Sequence, residues 1–281
     1  TKDNREDPWY FRPSSPNQSA YKCLSPWKRF LRPGTPPMNQ QISEIQFDWN
    51  RKERIGLAEA VFCLQKSVEQ IQSILAESRK NKDPLLLTRL SEEQFSGLHE
   101  DFKAGLDYEV LSQTGFFQVS GEKSDHKPAR VIVVAAGTSD AGVAREALRT
   151  LEFNGYGAKA IFDVGVAGIW RLMERIEEIR NYPVVIAVAG MDAALPTVLG
   201  GLIPGSIIAL PTSNGYGASR NGETALAACL SSCAPGVVVC NIDNGYGAAC
   251  AAIRMLSAGM ALSDPSDFEA GQKAPDKDLR E

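Results

Sequence analysis

The chain has 281 residues, 43% of them hydrophobic and 23% charged, with a formal net charge of −4. That length allows one large domain or two small ones, each able to bury a core. The mild acidity argues against polynucleotide binding, which needs a basic surface. No apolar run approaches the ~20 residues that span a bilayer. The first residues are polar, unlike a secretory leader, and six cysteines in so long a chain are no disulfide framework. These features lead us to expect a reduced, cytoplasmic protein that binds neither nucleic acid nor membrane.

Seven of the 16 prolines precede Met38, so residues 1–43 read as an irregular extension. Its aromatic residues, among them Trp9, Tyr10 and Trp27, are costly to leave in water. The segment is therefore either an arm that wraps a neighbouring subunit or a flexible leader. Residues 44–127 read as a small α/β unit with its linker. Val68, Ile71, Ile74 and Leu75 mark one face of a helix after Ser67, Pro84–Thr88 is a short strand, and Ser91 with Gln94 opens a second helix. Gly121–Lys127 is polar and reads as the linker.

Residues 128–260 hold most of the 24 glycines. Apolar runs recur at Val131–Ala136, Ala158–Val164, Val184–Ala189, Ser206–Leu210 and Val237–Ile242. Segments of helical length separate them, such as Asp140–Asn154 and Ile169–Arg180. Continuous apolar strands alternating with helices predict a three-layer, doubly wound parallel sheet of flavodoxin or Rossmann type, covered on both faces. Residues 261–281 read as a polar tail.

Each strand runs into glycine and small polar residues. These are Gly137-Thr138-Ser139-Asp140, the turn of Asp163 and Gly165, Gly190-Met191-Asp192, the loop of Ser213, Gly215, Tyr216 and Gly217, and the turn of Asn244 and Gly245. Ligands of such sheets bind beyond the carboxyl ends of the strands, where backbone N–H groups meet phosphates. Five such loops predict a nucleotide or phosphorylated ligand. Asn-Gly-Tyr-Gly occurs three times; the copy at Asn154 reads as a helix end on the opposite side of the sheet.

The chain has only two histidines, His99 and His126, and neither lies on a glycine-rich turn. Chemistry there must use carboxylates, cysteine or the substrate itself. No HExxH, Walker A or GxSxG stands in the sequence, which disfavours zinc hydrolysis, P-loop transfer and hydrolase triads. Cys233 follows Cys229 by four residues in what reads as one apolar helix. On local sequence alone it reads as a small buried residue in preference to a nucleophile, because a helix carboxyl end disfavours the thiolate.

Taken together, several segments resemble one family. They are Ala135–Asp140, Asp163–Gly168, Val188–Leu202, Pro211–Ser219, Ser231–Val237 and Asn241–Ala249, with Phe47–Phe62 and Leu85–Gln94 in the amino-terminal unit. The family is the pyridinium-3,5-biscarboxylic acid mononucleotide synthases (LarB) of nickel-pincer cofactor synthesis. Their carboxyl-terminal half is related to PurE, the AIR carboxylase of purine synthesis. The resemblance implies a PurE-like fold, magnesium and a homo-octamer. It implies that nicotinic acid adenine dinucleotide and carbon dioxide are the substrates, carboxylated at ring carbon 5 with release of AMP.

On this resemblance Cys233 is the nucleophile toward ring carbon 4. Asp192, where Glu is common in the family, is the base for the carbon-5 proton. The Gly137–Asp140 turn matches the phosphate- and ribose-binding turn of the purine enzymes; apart from the resemblance, we assign Arg220 with the Asn214–Gly217 loop to the pyrophosphate. The metal ligands are not assigned. Two rival functions stand beside this one. The purine reaction relies on a histidine after the second strand, where this chain has Gly165–Arg171 with none. The other rival is a nucleotide-binding regulator without turnover.

Overall fold

The computed structural model describes residues 45–48, 50–118 and 127–263. The extension of residues 1–43, most of the linker with His126, and most of the tail lie outside the described residues. Ser67 caps the first long helix, α2 (Val68–Asn81), through a reciprocal pair with Gln70, and Ile71, Ile74 and Leu75 face inward. Ser91 and Gln94 cap α3 (Glu92–Gly97) in the same way. A short helix, α1 (Arg51–Ile55), precedes them, and α4 (Glu100–Lys103) follows, with exposed His99 at its cap.

These helices accompany a four-stranded mixed sheet of β1 (Ala60–Phe62), β2 (Leu85–Thr88), β3 (Leu106–Glu109) and β4 (Thr114–Phe117). The order is β1-β2-β4-β3, with β1 and β2 parallel and the other pairs antiparallel. Every residue of β2 and β4 is buried, as their near-continuous apolar sequence requires.

The second sheet holds β5 (Lys127–Ala135), β6 (Tyr156–Ile161), β7 (Val184–Ala189), β8 (Ser206–Pro211) and β9 (Val238–Val239). All pairs are parallel, in the order β6-β5-β7-β8-β9. One face is covered by α5 (Ala141–Phe153) and α10 (Gly245–Ser263) over a core that includes Val133, Ile186, Ile208 and Ile253. The other face packs on Leu172, Ile179, Leu199 and Cys229, from α6 (Ile169–Met173), α7 (Ile176–Ile179), α8 (Ala194–Gly200) and α9 (Glu223–Leu230). This is the three-layer architecture expected. The chain order reverses between β5 and β7, which makes the gap above those two strands a switch point for ligand binding.

Helix α5 also joins the two sheets. Arg149 stacks 3.9 Å above the Phe116 ring and donates to Thr114 at 2.7 Å, and Phe153 packs on Phe116. No helix among the described residues is long and apolar enough to cross a membrane.

Three expectations change in detail. The helix expected over Ile169–Arg180 is two short ones, α6 and α7, separated by a turn at Glu174 and Arg175. The last strand is two residues, not six. Cys233 is not helical: α9 stops at Leu230, the Ser231 hydroxyl folds back onto the Ala227 carbonyl at 2.7 Å, and Pro235 follows.

Candidate functional site at the carboxyl ends of the parallel strands

Asp140 organises the site. It sits at the end of the turn after β5 and is 3% exposed. One carboxylate oxygen accepts the Gly137 N–H at 2.9 Å. The other accepts the Thr212 hydroxyl at 2.7 Å and the Asn214 amide at 2.8 Å. Asn214 also donates to the Ser139 carbonyl, and its own carbonyl accepts the Met191 N–H at 2.9 Å. The loops after β5, β7 and β8 are thus locked to each other. Gly190 is needed where they meet, because a Cβ there would stand 2.7 Å from the Thr212 hydroxyl and 2.9 Å from the Asn214 Cβ.

The loop before α10 joins through Asp243, whose carboxylate accepts the Ser213 N–H at 2.8 Å. Beneath it Glu146, 3% exposed, accepts the Gly245 N–H at 3.0 Å. Burial pushes the Glu146 carboxyl up to about 7, against the lowering effects of Arg89 and of the Gly245 N–H. Arg89 arrives from the loop after β2. Its guanidinium lies 3.6 Å from Glu146 and donates to the Asp243 carbonyl.

Non-glycine residues in the left-handed region gather on these loops: Asp163, Met191, Ala193, Arg220, Asn221 and Asp243. Such backbone costs free energy, and it persists where the surroundings hold a functional geometry in place.

The sequence-predicted residues fall into three groups. Thr138, Ser139, Met191, Asp192, Gly215, Tyr216, Gly217 and Arg220 are exposed on this face and available to a ligand, with Gly137 and Ser213 half-buried beside them. Asp140, Gly165, Gly190, Asn244 and Gly245 build the site from within. Gly165 packs against the Ala136 carbonyl, and Asn244 caps α10 by accepting the Gly247 N–H at 2.7 Å. Asp163, at the mouth of the β6 loop, is held by Arg171 at 2.7 Å.

Cys233 stands apart. It lies beyond the far end of α9, where its neighbour Ser232 bonds Thr197 at 2.7 Å and Ala234 abuts Gly200. Asp192 precedes α8, whereas the segment that carries Cys233 meets that helix at its middle, Thr197, and at its last residue, Gly200.

Sequence reasoning missed Thr212, Glu146, Asp243, Arg89 and Ser219. Ser219 is 7% exposed, and its hydroxyl has no partner among the described residues. The Pro211–Ser219 motif contained two of them. Nothing local marked Glu146 on a helix or Arg89 on the other sheet.

No group of three or more His, Cys, Asp or Glu side chains stands together among the described residues. Carboxylates line the face singly, at Asp163, Asp192 and Asp243. That donor set suits a magnesium ion carried in largely on the phosphate oxygens of its ligand.

The doubly wound sheet with interlocked glycine-rich loops at its switch point makes this an α/β protein with a ligand-binding edge, and residues 130–265 match the AIR carboxylase family. Residues 39–119 match the family described as the LarB/PurE-like N-terminal domain. The chain therefore belongs to the LarB family, with a PurE-like carboxyl-terminal domain. It is similar to an uncharacterized protein of Methanocaldococcus jannaschii, with 33% identity over 217 residues that cover 74% of this chain and 83% of that protein.

Proposed function

We propose that the protein carboxylates the pyridinium ring of nicotinic acid adenine dinucleotide at carbon 5, then hydrolyses the phosphoanhydride to AMP and pyridinium-3,5-biscarboxylic acid mononucleotide. The supporting observation is the state of the cysteines. Of the described ones only Cys233 is exposed. Burial pushes the thiols of Cys63 and Cys229 up to about 12 and about 11, and it raises Cys240 and Cys250. Buried thiols are poor nucleophiles at neutral pH. The segment Gly165–Arg171 holds no histidine, which favours this reaction over the purine one.

The pyridinium charge favours the thiolate of Cys233. The thiolate adds to ring carbon 4, and as the C–S bond forms a π pair moves to the ring nitrogen, which becomes neutral. Carbon 5, now an enamine carbon, bonds to carbon dioxide. The Asp192 carboxylate takes the carbon-5 proton; the C–S bond then breaks, restoring the aromatic cation and the thiolate. Water cleaves the phosphoanhydride. Magnesium, when bound, neutralises charge on the phosphates there.

The segment of Cys233 meets α8 at Thr197 and Gly200 rather than at Asp192, and we place the reaction in a homo-oligomer, expected to be an octamer, in which Cys233 of one subunit meets Asp192 of another. Incubation with the dinucleotide, bicarbonate and magnesium, followed by mass analysis of the products, tests the proposal. It expects AMP and the dicarboxylated mononucleotide; turnover of aminoimidazole ribonucleotide instead would replace it.

A further inference from the structure

Asp140 occupies the position expected to hold a ribose, yet its carboxylate is already taken by Gly137, Thr212 and Asn214. The acceptors left open lie beside a cavity of about 220 Å³ between the amino-terminal sheet and the ligand face. It is smaller than the roughly 300 Å³ at which pockets for whole drug-sized ligands begin, so it takes one part of a ligand.

Its walls are Arg89 and Gln113 from the first sheet and Ser139, Ser213 and Asp243 from the second, with Glu146 at the base. The two turns of the first sheet are tied together by the Leu90 N–H on the Gln113 carbonyl at 2.9 Å, and both Arg89 and Gln113 have left-handed backbone. Asp243 uses one carboxylate oxygen on Ser213; its second has no partner among the described residues.

Charge selects the occupant. Arg89 is the one cation of the lining, and it is spent on Glu146 and the Asp243 carbonyl. The lining therefore offers a phosphate no unpaired cation and sets the Asp243 carboxylate against it. Neutral hydroxyls can donate to Asp243 and accept from Gln113 and the two serines.

We propose that the amino-terminal sheet completes the ligand site here, and that the cavity is a subsite for the vicinal hydroxyls of a ribose. This inference rests on the nucleotide assignment of the ligand face.

Calorimetry on the full chain tests it. The probes are nicotinic acid adenine dinucleotide and two analogues, each lacking the 2′- and 3′-hydroxyls of one ribose. The wild type should bind one analogue about ten-fold more weakly than the parent. In Gln113→Ala, an exposed position, and in Asp243→Asn, that penalty should shrink to about three-fold or less while the parent still binds. If the parent binds but neither analogue is penalised, or if both variants keep the full penalty, the subsite is wrong and the nucleotide assignment stands. If the parent does not bind the wild type at all, the nucleotide assignment fails and the subsite falls with it.

Discussion

The carboxylate of Glu146, on α5, accepts the backbone N–H of Gly245, at the start of α10, at 3.0 Å while almost wholly removed from water. Burial, the largest influence on it, raises its pKa from 4.5 to about 7. Between those two values the folded chain keeps a proton that the unfolded chain has released. Stability should therefore fall as pH rises from about 4.5 to about 7, with the full loss present above that window. Glu146→Gln keeps an acceptor for Gly245 and removes the titration. Its thermal midpoint should vary less with pH across that window; an unchanged slope would refute the assignment.

Gly245 itself admits no side chain. A Cβ would stand 2.6 Å from the Val143 carbonyl and 2.9 Å from the Ala147 nitrogen, both backbone atoms of α5. Gly245→Ala should cost about 1–3 kcal/mol in a denaturant titration. Gly259→Ala, in the same helix with no atom within 4 Å of the new Cβ, should raise stability by up to ~1 kcal/mol.

Asp140→Ala should strip three donors of their acceptor at once. Thr212 is fully buried, so its hydroxyl would be left unpaired at a cost of about 1–3 kcal/mol. The loops after β5 and β8 would lose two of the bonds that join them, keeping that from Asn214 to the Ser139 carbonyl, and calorimetry should show weaker dinucleotide binding. Affinity equal to wild type would mean that these loops do not form the ligand site.

The extent to which the sequence revealed this architecture follows from where each signal lay. The fully buried β7 was legible because Val184–Ala189 is one apolar run, and Ser67 and Ser91 were legible as caps because Gln stands three residues on. Ser139 and Gly190 were legible because glycine-rich turns recur after strands. Glu146 and Arg89 were not, since their roles come from a meeting of residues 57 positions apart, one on α5 and one in the loop after β2. The place of Cys233 was misread because an apolar helix pattern ran on past Leu230, where serine hydroxyls and Pro235 end the helix.

The proposal that Cys233 and Asp192 of one site come from different subunits has its own test. Cys233→Ala and Asp192→Asn should each be inactive. Mixing the two as unfolded chains and refolding them should restore about a quarter of the wild-type sites if each site draws on two subunits at random. Light scattering should find eight subunits in each. No recovery in mixed octamers would place both residues in one chain's site.

The central claim is that Cys233 is the covalent nucleophile, and the most direct measurement is product formation by Cys233→Ala with Cys229→Ala as the control. Cys229 is buried in the core, so its loss should mainly cost packing. Cys233→Ala should bind nicotinic acid adenine dinucleotide as the wild type does and yield no dicarboxylated mononucleotide. Product formed by Cys233→Ala at close to the wild-type rate would contradict the account.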